Sequence, residues 1–314
     1  MRYCSFVLIC LLGMVSPVHA AETFGELLYW KVTEPVDWVL DTNNLPVYQY
    51  VNYNSTTYDF SPGFRVGGSL GGDWSPTLAW THFQTDTQDS VTGDLTSAFL
   101  GGKDSQPPAP KTYFDTGQID AQINYDVIDL DGGVPMEIAS WLTIRPVIGV
   151  RAGIIRQSFH TQFQASYSDG GTPTDLHVIE TAESNFWGIG PKVGIENHYA
   201  LLQTDQCQVD LMAKFYASYL LGHWDVPDLA TTHKTQGGST MTTTQRIQVD
   251  ERDFSSLAFQ AIVGVHWKYS AWSGSIGYEL NDWLDQCQIF TDATGPQNND
   301  LLLQGLTVNI ALEF

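Results

Sequence analysis

Beyond residue 20 the chain has no run approaching the ~18 consecutive apolar residues that a spanning helix requires, and its mean hydropathy is slightly negative. A helical membrane protein is thereby excluded. A β-barrel is not, because its strands need apolar character on only every second residue. Basic residues are scarce: 14 Lys and Arg stand against 35 Asp and Glu, a formal net charge of −21. So acidic a balance argues against nucleic-acid backbones and anionic membrane surfaces as partners. Cysteine is also sparse, at four residues, and two of these fall within the first twenty. The remaining pair, Cys207 and Cys287, does not make a disulfide scaffold. No His-x-x-x-His or Cys-x-x-Cys pair occurs, and no Gly-x-Ser-x-Gly elbow. Neither a metal centre, a cofactor nor a nucleophilic enzyme is therefore expected.

What is present begins with an address. Arg2 supplies a positive n-region, Phe6 to Leu12 a short apolar stretch, and Val18-His19-Ala20 the small residues that a signal peptidase reads. Residues 1–20 are expected to be a signal peptide and 21–314 a single domain. Removing Arg2 with the signal moves the charge from −21 to −22.

The dominant pattern in 21–314 is period-two alternation in segments of about ten residues, the mark of strands with one apolar and one polar face. It is clear at 120–127, 142–154, 187–196, 209–219, 257–267 and 305–314, and weaker at 24–32, 62–71, 75–85 and 272–284. Long polar connections at 33–60, 86–117, 158–184, 223–252 and 286–299 alternate with short ones near 71–74, 129–139, 199–206 and 269–271. A soluble β-sandwich has no reason to alternate so regularly. The fold expected is all-β: a transmembrane antiparallel meander β-barrel of about ten strands (eight to twelve), with short periplasmic turns, long extracellular loops and both termini periplasmic. Closure follows because hydrocarbon offers backbone amides no partner, so every strand edge must be paired. Tyr29, Trp30, Trp74, Trp80, Trp187, Trp224, Trp267, Tyr269, Trp272 and Trp283 near strand ends suit interfacial girdles.

Five stretches carry a family resemblance: Gly25 to Lys31, Phe60 to Gly67, Asn124 to Leu130, Ile144 to Gly153 and Phe186 to Gly194. In this order they resemble the pore-forming outer-membrane family typified by the Legionella major outer membrane protein. Phe314, closing an apolar alternating strand, resembles the C-terminal signal of outer-membrane barrels. The resemblance implies a β-barrel pore and carries over no catalytic residues.

If apolar faces meet lipid, Ile123, Ile144, Ile148, Ile189, Val193, Leu211, Phe215, Phe259, Val263, Val308, Ile310 and Phe314 are membrane-facing. Polar faces then place Arg65, Arg145, Arg151, Lys192, Lys214 and Lys268 in the lumen, with Asp120, Asp126, Asp210, Glu279 and Glu313; the candidate constriction is Arg145, Arg151, Lys192 and Lys214, with Asp120, Asp126 and Asp210 as counter-charges. Such opposed charges either form a constriction that sets ion preference or pair to satisfy buried groups in a narrow barrel. Barrels of about eight strands are nearly filled by side chains, so ten leave little room for a wide pore.

The expected function is a passive pore for ions or small hydrophilic solutes in the outer membrane of a Gram-negative bacterium. Two other readings stand beside it: a closed structural or adhesive barrel whose long loops bind host or cell surfaces, and an outer-membrane hydrolase using rim histidines such as His82, His160, His177, His223 and His233. Outer-membrane lipid, lipopolysaccharide and the barrel-assembly machinery are the expected partners, with a homo-oligomer also in view and nucleic acid not. Cys207 and Cys287 are expected at opposite ends of the barrel, beyond the ~7 Å limit for a bridge.

Overall fold

The computed structural model describes residues 21–314 apart from 45–48, 73, 110, 205, 251–252 and 292–294. The predicted signal segment 1–20 lies outside the described residues. In chain order the elements are β1 (Glu22–Thr33), β2 (Asp37–Asn44), β3 (Gln49–Ser55), β4 (Ser61–Ser69), β5 (Thr77–Ser97), a one-turn helix α1 (Leu100–Asp104), β6 (Phe114–Gly133), β7 (Met136–Ala139), β8 (Leu142–Asp169), β9 (Thr172–Gln203), β10 (Cys207–Gln236), β11 (Ser239–Val249), β12 (Ser255–Tyr269), β13 (Trp272–Thr291) and β14 (Gly295–Glu313).

Ten of these strands form a closed antiparallel ring in the order β1-β4-β5-β6-β8-β9-β10-β12-β13-β14. The β5–β6 pairing and the β1–β14 pairing, from Glu22↔Glu313 to Thr33↔Leu302, complete the circle. The expected ten-strand meander is therefore the architecture found. The other strands are attachments: β2 and β3 form a hairpin held to β5, β7 lies on β8, and β11 extends β10.

All four short turns, and the paired ends Ala21 and Phe314, lie at one end of the ring. Two of the expected long loops turn out to be strand. Residues 158–184 continue β8 and β9 to a turn at Gly170-Gly171, and 223–249 continue β10 into β11 through Gly237-Gly238. Both glycine pairs have φ between +56° and +85°, the two consecutive left-handed residues that a two-residue hairpin turn demands. Their polar composition read as loop because strand faces above an apolar band are themselves polar.

That band is visible on the outer wall. Ile148, Ile189, Val193, Leu211, Phe215, Val263, Val308 and Ile310 are all 37–58% exposed. Ile144 and Phe259 share the outward parity half-buried, Phe259 stacked on Phe215 at 6.2 Å, and Phe314 is exposed at the chain end. Ile123 departs from the sequence reading: it is completely buried and faces inward. Aromatic rings edge the band, with Trp141 stacked on Tyr199 at the short-turn end and Tyr29 on Phe60 at the other. Trp30, Trp224 and Trp283, read as girdle residues, instead point inward and are at most 2% exposed.

The reason is an inversion of chemistry along each strand. From 117 to 131 the odd positions of β6 face inward. Near the short turns they read Asp129 and Asp131, with Ile128 and Leu130 outside; farther up they read Ala121, Ile123 and Tyr125, with Asp120, Gln122 and Asn124 outside. β8 repeats this, from inward Arg145 and Arg151 to inward Ile155, Phe159 and Phe163. The lower half is apolar outside and polar inside, as hydrocarbon requires; the upper half is polar outside and apolar inside, as water requires.

Candidate functional site

The lower lumen is crossed by a connected layer of charge. Arg65 on β4 donates to Glu26 on β1 at 2.7 Å and to Glu279 on β13 at 2.8 Å. Gln260 on β12 donates to Glu279 at 2.6 Å and accepts from Arg151 on β8 at 2.6 Å. Arg151 also forks onto both oxygens of Asp129 on β6, at 2.7 and 3.0 Å. Lys192 on β9 sits 3.3 Å from Asp129 and 2.6 Å from Asp131, with its ammonium over the Tyr216 ring. Two of these links, Arg65–Glu279 and Arg151–Gln260, join strands three places apart around the ring, so they run as chords across the lumen. Lower still, Arg145 pairs with Glu196 at 3.1 Å, and Glu196 accepts from the Tyr216 hydroxyl at 2.5 Å.

Immediately above lies an aromatic layer. Trp283 on β13 meets Tyr125 on β6 edge-on, with ring centroids 5.8 Å apart, and the Tyr125 hydroxyl accepts from Asn281 at 2.9 Å. β6 and β13 stand five places apart in the ten-strand ring, so this contact spans the full diameter. Trp30, Phe83, Phe186 and Trp224 fill the rest of the layer. Gly153 is part of the fit: a Cβ there would come within 2.9 Å of the Trp283 ring.

A third layer comes from folded-in chain. Val36, Trp38 and Tyr58 from the β2–β3 region, with Leu95, Phe99 and Phe114, join Phe159 and Phe163 of the wall in one continuous buried core. Glu34, fully buried at its base, accepts from Gln157 at 2.8 Å, and burial pushes its carboxyl up to about 8.

α1 is clamped to the wall by a carboxyl pair. Glu180 on β9 accepts from the Gly101 and Gly102 amides at 2.6 and 2.8 Å and lies against Asp228 on β10. Burial, then the neighbouring Asp228, raises Glu180 well above the carboxylate range, while burial raises Asp228 to about 6. Both folded pKa values lie above the unfolded ones, so the clamp is at full strength below about pH 4 and weakens as pH rises through 6. Hydrogen exchange at the 101–104 amides, corrected for intrinsic rates, should show at least several-fold less protection at pH 8 than at pH 5. Asp228→Asn should flatten that profile, and an unchanged slope would remove the Glu180–Asp228 pair as its cause. A Cβ on either glycine would collide with the wall, on Ala230 and Ser97 respectively, so only glycine permits the approach.

Of the seven candidate constriction residues, Arg145, Arg151, Lys192, Lys214 and Asp210 point inward. Asp120 and Asp126 do not. They occupy the outer face above the apolar band, where Asp126 accepts from Trp80 at 3.2 Å and contacts His82 at 2.9 Å. Charged residues that the sequence reading placed lower in weight, Arg65 and Glu279, and two it did not single out, Glu26 and Asp129, carry the layer instead. Inward parity, continued across the inversion, would have identified them.

Asp210 has its own setting. It is 1% exposed, takes two hydrogen bonds from Gln208, and stands between His198 on β9 and His266 on β12 at 3.7 and 3.5 Å. Cys207 and Cys287 are unbridged, the first opening β10 at the short-turn end and the second beyond the bulge in β13.

Among solved structures the chain is similar to the Escherichia coli outer membrane protease OmpT, at 10% identity over 96% of this chain and 99% of that one, with a TM-score of 0.33. It is similar to the Pseudomonas putida toluene transporter TodX at 7% identity, covering 95% and 90%, with a TM-score of 0.27. LpxR from Salmonella typhimurium matches at 10% identity, covering 82% and 89%, with a TM-score of 0.25. Likenesses this weak carry no argument about activity. No curated protein matches the chain. The family model for the Legionella pneumophila major outer membrane protein precursor matches residues 19–314, which makes this outer-membrane β-barrel a member of that family.

Proposed function

We propose that the protein is an outer-membrane barrel held closed across its lumen, which anchors a rigid extracellular β-platform for contact with host or cell surfaces. The observation that carries this reading is the diametric Tyr125–Trp283 contact, sealed above by a core continuous with the β2–β3 hairpin. Both termini and the short turns face the periplasm in this reading. The platform is the upper part of β8, β9, β10 and β11, which rises about fifteen residues beyond the apolar band, roughly 50 Å of strand. Its tip is braced by Lys234 on Asp169 at 2.9 Å, and its solvent-facing β11 is almost entirely exposed. Outer-membrane lipid and lipopolysaccharide surround the band, and the assembly machinery reads the terminal strand.

Planar-bilayer recording tests the closure: the wild-type chain should insert and give no discrete steps. Replacing 232–243 by a two-residue turn should leave the barrel folded and remove cell-surface binding. Steps from the unaltered chain would sink the closed reading. They would favour a passive path for ions or small hydrophilic solutes, for which one observation speaks: the lower lumen is lined by charge although the upper lumen shows that this chain can fill the same space with apolar side chains. Buried ion pairs seldom stabilise more than apolar packing of equal volume, so their retention there fits a hydrated ion path.

A further inference from the structure

The sequence shows no metal-binding spacing, yet three adjacent strands bring two histidines and an aspartate together on the lumen wall near the short-turn end. We propose that His198, Asp210 and His266 form a binding site for one first-row divalent transition-metal ion, with Zn²⁺ as the reference case.

The register builds the site. Asp210 on β10 pairs directly with His266 on β12, and His198 on β9 pairs with Met212, one inward step along from Asp210. All three side chains share inward parity, so strand spacing alone brings them into reach. Their ligand atoms lie within 4.8 Å of one another. The two measured separations, His198 Nδ1 to Asp210 Oδ2 at 3.7 Å and His266 Nδ1 to the same oxygen at 3.5 Å, exceed a good hydrogen bond. A tetrahedral ion with metal–ligand bonds of 2.0–2.1 Å needs ligand atoms about 3.3 Å apart. Shifts of a few tenths of an ångström bring the two histidine–aspartate separations to that spacing, and rotation of the imidazoles within the 4.8 Å cluster sets the third.

A second observation points to a ligand. His266 Nδ1 is buried and makes no hydrogen bond, although buried ring nitrogens are ordinarily satisfied. Its nearest polar partner, Asp210 Oδ2 at 3.5 Å, is an acceptor, so Nδ1 directs its proton at the space beside Asp210, and a bound ion would take that proton's place on the Nδ1 lone pair. Gln208, donating to both carboxylate oxygens at 3.0 and 2.8 Å, orients the aspartate as an outer-shell partner does. Two imidazoles and one carboxylate select a borderline transition metal; calcium and magnesium want oxygen donors throughout. The histidines keep about a quarter of their side-chain surface exposed, so the remaining coordination positions open to lumenal water. Lys214, within electrostatic reach of both rings, sets an opposing charge that tempers the affinity. The site stands whether or not the lumen conducts.

The test uses the full mature chain refolded in detergent micelles and titrated with Co²⁺, whose visible absorption reports coordination, and with Zn²⁺ in calorimetry. One ion per chain is expected. His198→Ala and His266→Ala should each weaken binding at least tenfold, whereas His177→Ala, on the outer face of the platform, should leave it unchanged. Far-UV circular dichroism confirms that each variant is folded. Wild-type protein provides a measurement free of mutation: Zn²⁺ should protect His198 and His266, and not His177, from acylation by diethyl pyrocarbonate. Cobalt binding that survives the double histidine variant, or equal acylation with and without Zn²⁺, overturns the assignment.

Discussion

Conduction should appear only when two closures are removed together. A variant carrying Trp283→Ala and a short glycine-serine linker in place of residues 34–58 is expected to give discrete current steps, and either change alone is expected to stay silent. The closures act in series. Linker replacement removes the Trp38 and Tyr58 cover but leaves Trp283 against Tyr125 across the diameter. Trp283→Ala removes the contact that spans the diameter, leaving a gap bordered by Tyr125, Trp30 and Phe186, but keeps the folded-in hairpin above it. The join is short because Trp30 on β1 already faces Ser61 on β4. The charged layer beneath does not block once the apolar layers are breached, since water and ions replace polar contacts, whereas apolar constrictions dewet. Trp283→Ala should also cost about 3–5 kcal/mol, the usual range for deleting a buried indole. A silent double variant would move the closure to the charged layer; steps from one single variant would reduce the closures to one.

The second large effect concerns Arg151. It is 1% exposed and bonded to Asp129 and Gln260, so Arg151→Met strands a buried carboxylate that keeps Lys192 at 3.3 Å but loses its forked partner. Urea titration of folding into lipid vesicles should show a loss of about 3–5 kcal/mol. The double variant Arg151→Met, Asp129→Leu should recover most of it, because the penalty comes from the unpaired charge more than from the missing bond. A loss under about 1 kcal/mol for the single variant would instead describe a solvated cation in open water. That outcome would favour the ion-path reading over the closed one.

Much of the barrel is legible in the sequence because hydrocarbon imposes a simple rule. At Ile148, Val193, Val263 and Ile310 the alternation reports the lipid face directly, and Arg145, Arg151 and Lys192 report the lumen. The rule fails at Ile123, Asp120 and Asp126 for a physical reason. Parity says which positions share a face, not which face is inside. That assignment reverses where the strand passes from hydrocarbon into water. Trp30, Trp224 and Trp283 were misplaced for the same reason: they sit at the level of the inversion, where a girdle residue and a core residue occupy adjacent positions.

Alternation, the long–short rhythm of the connections and the ordered family-like segments thus determined, from sequence alone, an antiparallel outer-membrane barrel of about ten strands. Each is a local property, repeated strand by strand. Only the tertiary structure decided that Tyr125 meets Trp283 across the lumen, that Arg65 reaches Glu279, and that His198, Asp210 and His266 meet. Those contacts join residues as many as 214 positions apart. They depend on strand register and ring closure, which no single segment encodes.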